Sequence, residues 1–433
     1  MDDSQPITQS TPTENAPHDG AVSIRYAYLI AATGLVAGTY GMCRFGFGLT
    51  LPRIGETLGI SSSFAGSAAA AAFATYSVSA LATGALVQRG RLTAAALLAA
   101  ATAVVGCLLV AFSSGSTVLL FGIAVAGAAA GFVSPTIAAG MRKIAPPPVE
   151  PRWQAIANAG TGFGVLLAGI LAAWVSWRAS WVTYGILTGI CAIAVIILRR
   201  AIGARDETNA ASAHHSTTDR EQRGKATALA APVTLAILMG AGSAVFWTFG
   251  RTQAEHSAHL PPTASLVFWC AVGGAGILGA LSGDSVTKIG FRRTWSLASS
   301  LLALSIAATT VTTQLIGYLA IGLVFGATYV ILCGAQITAA AIAWPNAVGA
   351  GTAITFTAIA IGQISGSLVL GKIIDTLGTT TAFLTGAGLC AASAALIYAT
   401  GFGRTGTSPL PATRELGEAE ASIAGQSVRN DRS

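Results

Sequence analysis

The sequence predicts an all-α membrane protein: twelve transmembrane helices in two six-helix halves related by pseudo-symmetry. Three observations lead there. The 433-residue chain is 53% hydrophobic and only 9% charged, where an ordinary soluble domain carries roughly 25% charge. No soluble surface of this extent can be built from so few charges. The apolar residues fall into twelve runs, each near the roughly 20 residues that a spanning helix needs. A short basic signature after the second run returns after the eighth.

Residues 1–23 are polar and rich in Ser, Thr, Pro and acid. They read as a disordered cytoplasmic tail, uncleaved, because the first apolar run exceeds the roughly 7–15 residues of a signal h-region. Spans at 26–51, 63–87, 92–112, 116–140, 154–174 and 180–198 make an N-terminal half over 24–198. A polar linker follows at 199–228, with Arg199, Arg200, Arg205, Arg220, Arg223 and Lys225. Spans at 230–252, 264–283, 294–312, 315–340, 351–374 and 381–402 make a C-terminal half over 229–402, and 403–433 form a second disordered cytoplasmic tail. Barrel strands would alternate with period two over about 10 residues. These runs are continuous and twice as long.

Lysine and arginine near span ends set orientation. With the N-terminus inside, the short inner loops carry Arg89, Arg91, Arg142, Lys143, Arg152, Lys288, Arg292 and Arg293. The outer loops carry Arg53 and Arg178, with Arg251 and Lys372 at the border. Both termini are therefore expected in the cytoplasm, beneath a bacterial inner (plasma) membrane.

Several function classes lose their support. The net charge of +7 is spread between apolar runs, not gathered in the patch that nucleic acid requires. The six cysteines occupy separate runs without CxxC spacing, which leaves zinc and redox motifs unsupported. The letters Gly274-x-Gly276-x-x-Gly279 lie inside an apolar span, without the strand–helix context of a dinucleotide site. There is no phosphate-loop signature for an ATP-driven pump, and all five histidines lie in tails or loops. The expectation is a non-enzyme without cofactor or structural metal.

The basic signature is GALVQRGR at 84–91 and GDSVTKIGFRR at 283–293, and Lys288 follows Arg89 by 199 positions. In each copy a glycine (Gly84, Gly283) precedes a basic residue (Arg89, Lys288), a second glycine (Gly90, Gly290) and further basic residues (Arg91; Arg292, Arg293). Near-half-length repeats build transporters whose site lies where the halves meet. On these residues the chain, over about 24–402, resembles the major facilitator superfamily, whose loop motif runs Gly-x3-Asp-(Arg/Lys)-x-Gly-x-(Arg/Lys)-(Arg/Lys). The second copy departs by holding Thr287 at the acid position, with Asp284 beside the glycine. The first holds Gln88 there and lacks one residue. WRASW (177–181) and NAGTGFG (158–164) are also family-like, and RFGFGLTLP (44–52) with GDSVTKIGFRRTW looks similar to the bacterial YbfB/YjiJ-type subgroup. The loop has two readings: gating, with its basic residues meeting a neighbouring helix C-terminus, or topology alone.

Arg44 is the one charge between Ala27 and Leu51. An arginine at the bilayer centre costs about 2.5–3.5 kcal/mol on insertion scales. Either it snorkels past Pro52 to the outer interface, or it faces a wet cavity between the halves. Tyr40 at i−4 and Phe47 at i+3 share its helical face, and a guanidinium suits bidentate binding of carboxylate or phosphate. Of the 17 acids, none falls mid-span, so a substrate anion is the natural partner; backbone carbonyls and Glu255 remain open. The resemblance implies that spans 1, 4, 7 and 10 line the cavity, which would bring Arg251, closing span 7, and Tyr329, in span 10, toward the same site. Gln363 in span 11 and Tyr76 in span 2 are further candidates, against a plain role in interhelical hydrogen bonding.

The sequence reading is thus a secondary active transporter working by alternating access, with a small organic anion as substrate and the lipid bilayer as its surround. Drug or metabolite efflux by antiport is the alternative, and a non-transporting receptor or scaffold the more distant one. Glu255, Asp375 or the Glu255-His256-x-x-His259 cluster could carry a coupling proton near the outer face. The same cluster also reads as a metal site, or as an ordinary solvated loop.

Overall fold

The computed structural model describes residues 16–146, 149–209, 226–277, 286 and 288–403, and among these there is no strand. The first span is a composite: α1 (Ala16–Val36), a π-helical segment (Ala37–Arg44) and α2 (Gly46–Leu58). Single helices make the other spans: α3 (Ser62–Gln88), α4 (Leu92–Ala111), α5 (Ser116–Ile144), α6 (Glu150–Trp174) and α7 (Trp177–Asn209), then α8 (Ala230–His256), α9 (Pro262–Ile277), α10 (Phe291–Ala308), α11 (Leu315–Ala343), α12 (Val348–Leu377) and α13 (Thr379–Ala399). Among the described residues nine helices, α3–α8 and α11–α13, are long and apolar enough to cross a membrane by length and composition. Of the others, the first span is divided by its π segment, α9 is described over 16 residues, and α10 opens with Arg292 and Arg293.

Two boundaries differ from the sequence reading. Helix α1 starts at Ala16, inside the segment 1–23 expected to be a tail, and α7 runs to Asn209, into the expected linker. Helical hydrogen bonding does not stop where apolar side chains stop; Pro17 falls in the first turn, where its missing N–H costs nothing. Residues 1–15, 210–225 and 404–433, which hold the rest of the expected tails and linker, lie outside the described residues.

Helices α1–α7 pack chiefly on one another, as do α8–α13, and the two sets meet through α2 on α8, α3 on α12 and α6 on α9. Twelve spans place both described ends at one face, called here the terminal face; the turns at 59–61 and 257–261 lie at the far face. Near the far face the sets touch backbone to backbone. A Cβ added to Gly48 would collide with the Trp247 carbonyl oxygen, and one on Gly66 with that of Ser367. Small residues permit such approach in a membrane, where lipid gives helices no hydrophobic reason to associate.

Candidate functional site

The site begins with the π segment. The Phe45 amide N–H bonds the Tyr40 carbonyl, five residues back, at 3.2 Å. A π insertion of this kind recurs at functional positions. Seven of its eight residues are buried. A Cβ on Gly41 would collide with the Gly164 backbone of α6, so the segment is pressed against its neighbour. Arg44 closes it, 8% exposed.

The Arg44 guanidinium reaches across to the other set of helices. Its Nη2 donates to Gln363 Oε1 at 2.8 Å, and Gln363 Nε2 donates to the Tyr329 hydroxyl at 3.1 Å. The Tyr76 ring covers it, 3.8 Å from Cζ to centroid, with Phe73 at 5.1 Å, Phe45 at 5.5 Å and Tyr40 at 5.6 Å. A desolvated cation over an aromatic face gains about 2 kcal/mol. The Tyr40 and Tyr76 hydroxyls are 3.3 Å apart. Arg44 Nε is buried without a partner, and among the described residues no carboxylate pairs with this guanidinium.

Arg44, Tyr40, Tyr329 and Gln363 are therefore brought together, and the snorkelling and Glu255 alternatives for Arg44 fall away. Phe47 is buried beside them but does not cover the guanidinium. The i+3 expectation assumes an unbroken α-helix; here the π segment ends at Arg44, and Phe45 lies by the guanidinium instead. Phe47 instead lines a cavity of about 10 Å³ with Arg44, Phe45, Phe73 and Trp247, a volume near that of one water.

Arg251 stands elsewhere. It is 3% exposed and fully engaged: Nη2 pairs with Glu255 Oε1 at 2.8 Å, Nε donates to Ser265 Oγ at 3.0 Å, and Nη1 donates to the Leu49 carbonyl. Glu255 lies within α8, not in a loop, and holds Arg251 one turn away. The arginine thus joins α8, α9 and α2 near the far face. A second contact joins the sets there: Asp375 on α12 accepts the backbone N–H groups of Ser62 (3.1 Å) and Ser63 (2.7 Å) in the first turn of α3. Those N–H groups have no intrahelical acceptor, and the helix dipole favours the carboxylate. Among the described residues no cluster of potential metal ligands forms around His256 and His259.

The repeated loop signature is seen in part, since Gly283 and Asp284 lie outside the described residues. Gly90 (φ 70°) and Gly290 (φ 83°) occupy matching turns in the left-handed half of backbone space, where only glycine is unstrained. Gly84 sits inside α3 with open space at its Cβ position, so the exit turn belongs to Gly90. Arg89, Arg91, Lys288 and Arg293 are exposed. Arg292 donates to the Tyr398 carbonyl at 2.9 Å and lies 4.9 Å over the Tyr398 ring. It caps the last turn of α13, the helix-end contact expected of a basic residue in this loop.

Sequence reasoning misses Phe73 as part of the aromatic surround and gives Tyr76 a minor place. The signal is present: Phe73 and Tyr76 stand at i, i+3 in the alanine-rich stretch AAAAAFATYS.

The family model of the Major Facilitator Superfamily matches residues 33–367. No curated protein matches the chain by sequence. Solved structures share its fold. The nucleoside transporter NupG aligns with a TM-score of 0.66 at 12% identity, over 87% of this chain and 98% of its own. A peptide transporter POT in complex with sulfate gives 0.68 at 15%, over 88% and 95%. The xylose transporter XylE from E. coli, in a partially occluded inward open conformation, gives 0.69 at 14%, over 89% and 100%. At these identities the likeness is one of fold.

Proposed function

The chain belongs to the major facilitator superfamily and is a transporter, not an enzyme; on that premise we propose that it carries a small organic anion by alternating access, with Arg44 as the anion's anchor. One observation carries this reading. A buried guanidinium is held by a neutral amide and aromatic faces, with Nε unpartnered and no carboxylate at hand among the described residues. A permanently unpaired charge in a membrane interior is costly, and an anion that enters and leaves relieves that cost in the loaded state. Tyr40, Tyr329 and Gln363 would position the anion, while Phe47 shapes the cavity wall. Arg251 and Asp375 hold the far face shut, and loading from the other side would be followed by their release. A coupling proton would act by neutralising Glu255 or Asp375, the carboxylates of those two contacts. We place the basic terminal face in the cytoplasm of a bacterial inner membrane, on the positive-inside rule.

The test is binding by the purified protein, read as thermal stabilisation by small organic anions, neutral sugars and lipophilic cations, beside Arg44→Gln. A ligand at 100 times its Kd adds about 2.7 kcal/mol. Stabilisation by anions that disappears in Arg44→Gln is expected. Stabilisation by cations or neutral solutes that survives the substitution would overturn the anion reading in favour of efflux. Single cysteines at Ser212 and Ser408 should label from the cytoplasmic side only; labelling of both from outside would invert the topology.

A further inference from the structure

Two buried nitrogen donors in this site have no partner: Arg44 Nε and Trp247 Nε1. Both residues line the same small cavity, one from each set of helices, and they are 8% and 6% exposed. A buried N–H without an acceptor forfeits its hydrogen bond to water and gains nothing in return. Two residues that line one cavity, each with an unpartnered donor, suit a single acceptor held between them. Both only donate, so that ligand group must accept through two lone pairs. The Arg44 guanidinium adds a positive charge.

The rest of the wall fixes the body attached to that group. Phe45 stacks on Trp247 with ring centroids 4.0 Å apart, and Phe47, Phe73 and Ile123 complete an apolar surround. Trp247 also meets Tyr329 edge-on at 5.2 Å, which ties its ring to the Gln363–Arg44 chain. Among the described residues Arg44 alone brings a charge to this wall, since Arg251 is spent on Glu255. One guanidinium neutralises one negative charge. A dicarboxylate or phosphate dianion would bring a second charge into an apolar enclosure, at a cost that rises steeply without a partner. A sugar would bring hydroxyls with too few partners here.

We infer that the transported anion is a monocarboxylate with a compact aromatic or other planar apolar body, its carboxylate bridging Arg44 and the Trp247 indole N–H and its body lying among Phe45, Phe47 and Phe73. This rests on the anion reading above and narrows it. At about 10 Å³ the cavity is smaller than such a body, so binding requires α2 to part from α8.

The experiment measures binding of five probes to the full-length protein in detergent by calorimetry: benzoate, benzamide, phthalate, inorganic phosphate and glucose. Benzoate is expected to bind, benzamide, phosphate and glucose not, and phthalate at least tenfold more weakly than benzoate. Trp247→Phe keeps the ring and removes the donor; benzoate affinity should fall about tenfold, the effect of losing one hydrogen bond to a charged group, with the melting temperature preserved. Trp247→Leu, which removes the ring as well, should lose more. Binding of phthalate or inorganic phosphate in place of benzoate would overturn this inference and leave the anion reading standing. Binding of benzamide or glucose alone, or of none of the five, would overturn both. Benzoate binding unchanged in Trp247→Phe would remove the indole from the carboxylate site.

Discussion

Arg44 and Gln363 stand 319 positions apart and share a hydrogen bond of 2.8 Å. It joins the first span to the eleventh, and so one six-helix set to the other, at the depth of the buried charge. Gln363 is itself completely buried, and its amide relays the contact to Tyr329. The charge of the site is therefore set by a neutral side chain that one atom would change. Gln363→Glu places a carboxylate beside the guanidinium and neutralises it from within. Anion affinity is expected to fall at least tenfold while the melting temperature holds or rises, since a carboxylate hydrogen bond is roughly twice as strong as a neutral one. Gln363→Met, which keeps the volume and drops the bond, should cost about 1–2 kcal/mol of stability and leave anion selectivity in place. Calorimetry with paired melting curves separates the two.

Arg251 and Glu255 form a buried pair that holds the arginine on the Leu49 carbonyl across the far face. Glu255→Ala strands a charge that is 3% exposed and should destabilise the protein by about 3–5 kcal/mol. Replacing both by methionine should cost less than the single change, because no unpaired charge remains. The measurement is a double-mutant cycle of thermal stability in detergent. A double variant weaker than both singles would show that the Leu49 carbonyl and Ser265, the other partners of Arg251, matter more than Glu255.

The helix count, the matching basic turns and the presence of a charge inside the first span are legible in the sequence because each rests on a local rule. Twenty apolar residues make a span wherever they fall, and a charge inside one demands an explanation. What surrounds Arg44 depends on something no local pattern announces. The chain is π-wound at Ala37–Arg44, and Phe45 rather than Phe47 lies by the guanidinium. Arg251 misleads for a related reason: apolar patterning puts its i+4 acid, Glu255, in a loop, whereas α8 continues through it. Long-range partners such as Asp375 with Ser62 and Ser63 follow from how the two sets dock, and span lengths carry no record of that.

Arg292 and Arg293 are adjacent in sequence and differ in what they touch. Arg292 caps α13 through the Tyr398 carbonyl and lies over the Tyr398 ring, whereas Arg293 is exposed. Arg292→Ala should lower stability by about 1–2 kcal/mol, through the lost cap and stacking contact. Arg293→Ala should stay within about 0.5 kcal/mol. The gating reading expects Arg292→Ala to slow turnover in proteoliposomes more than it weakens substrate binding. Equal loss of both would leave the loop a topology signal.

Asp375 is the far-face contact most open to test, because its partners are backbone N–H groups that stay in place when the carboxylate is changed. Asp375→Ala leaves the first turn of α3 without its carboxylate and frees α12 to move away. Asp375→Asn keeps one oxygen for a single weaker bond. Thr248 on α8, 2% exposed, lies against Gly48 on the α2–α8 seam and lines the cavity with Arg44. With the six native cysteines replaced and Thr248→Cys introduced, a membrane-impermeant maleimide added at the far face should react slowly in the parent. Reaction should be severalfold faster in Asp375→Ala and intermediate in Asp375→Asn. That order follows from the strength of the bond each variant retains. Equal rates in all three would mean that the Arg251 bond to the Leu49 carbonyl and the close packing of Gly48 on Trp247 and Gly66 on Ser367 hold the face closed without Asp375.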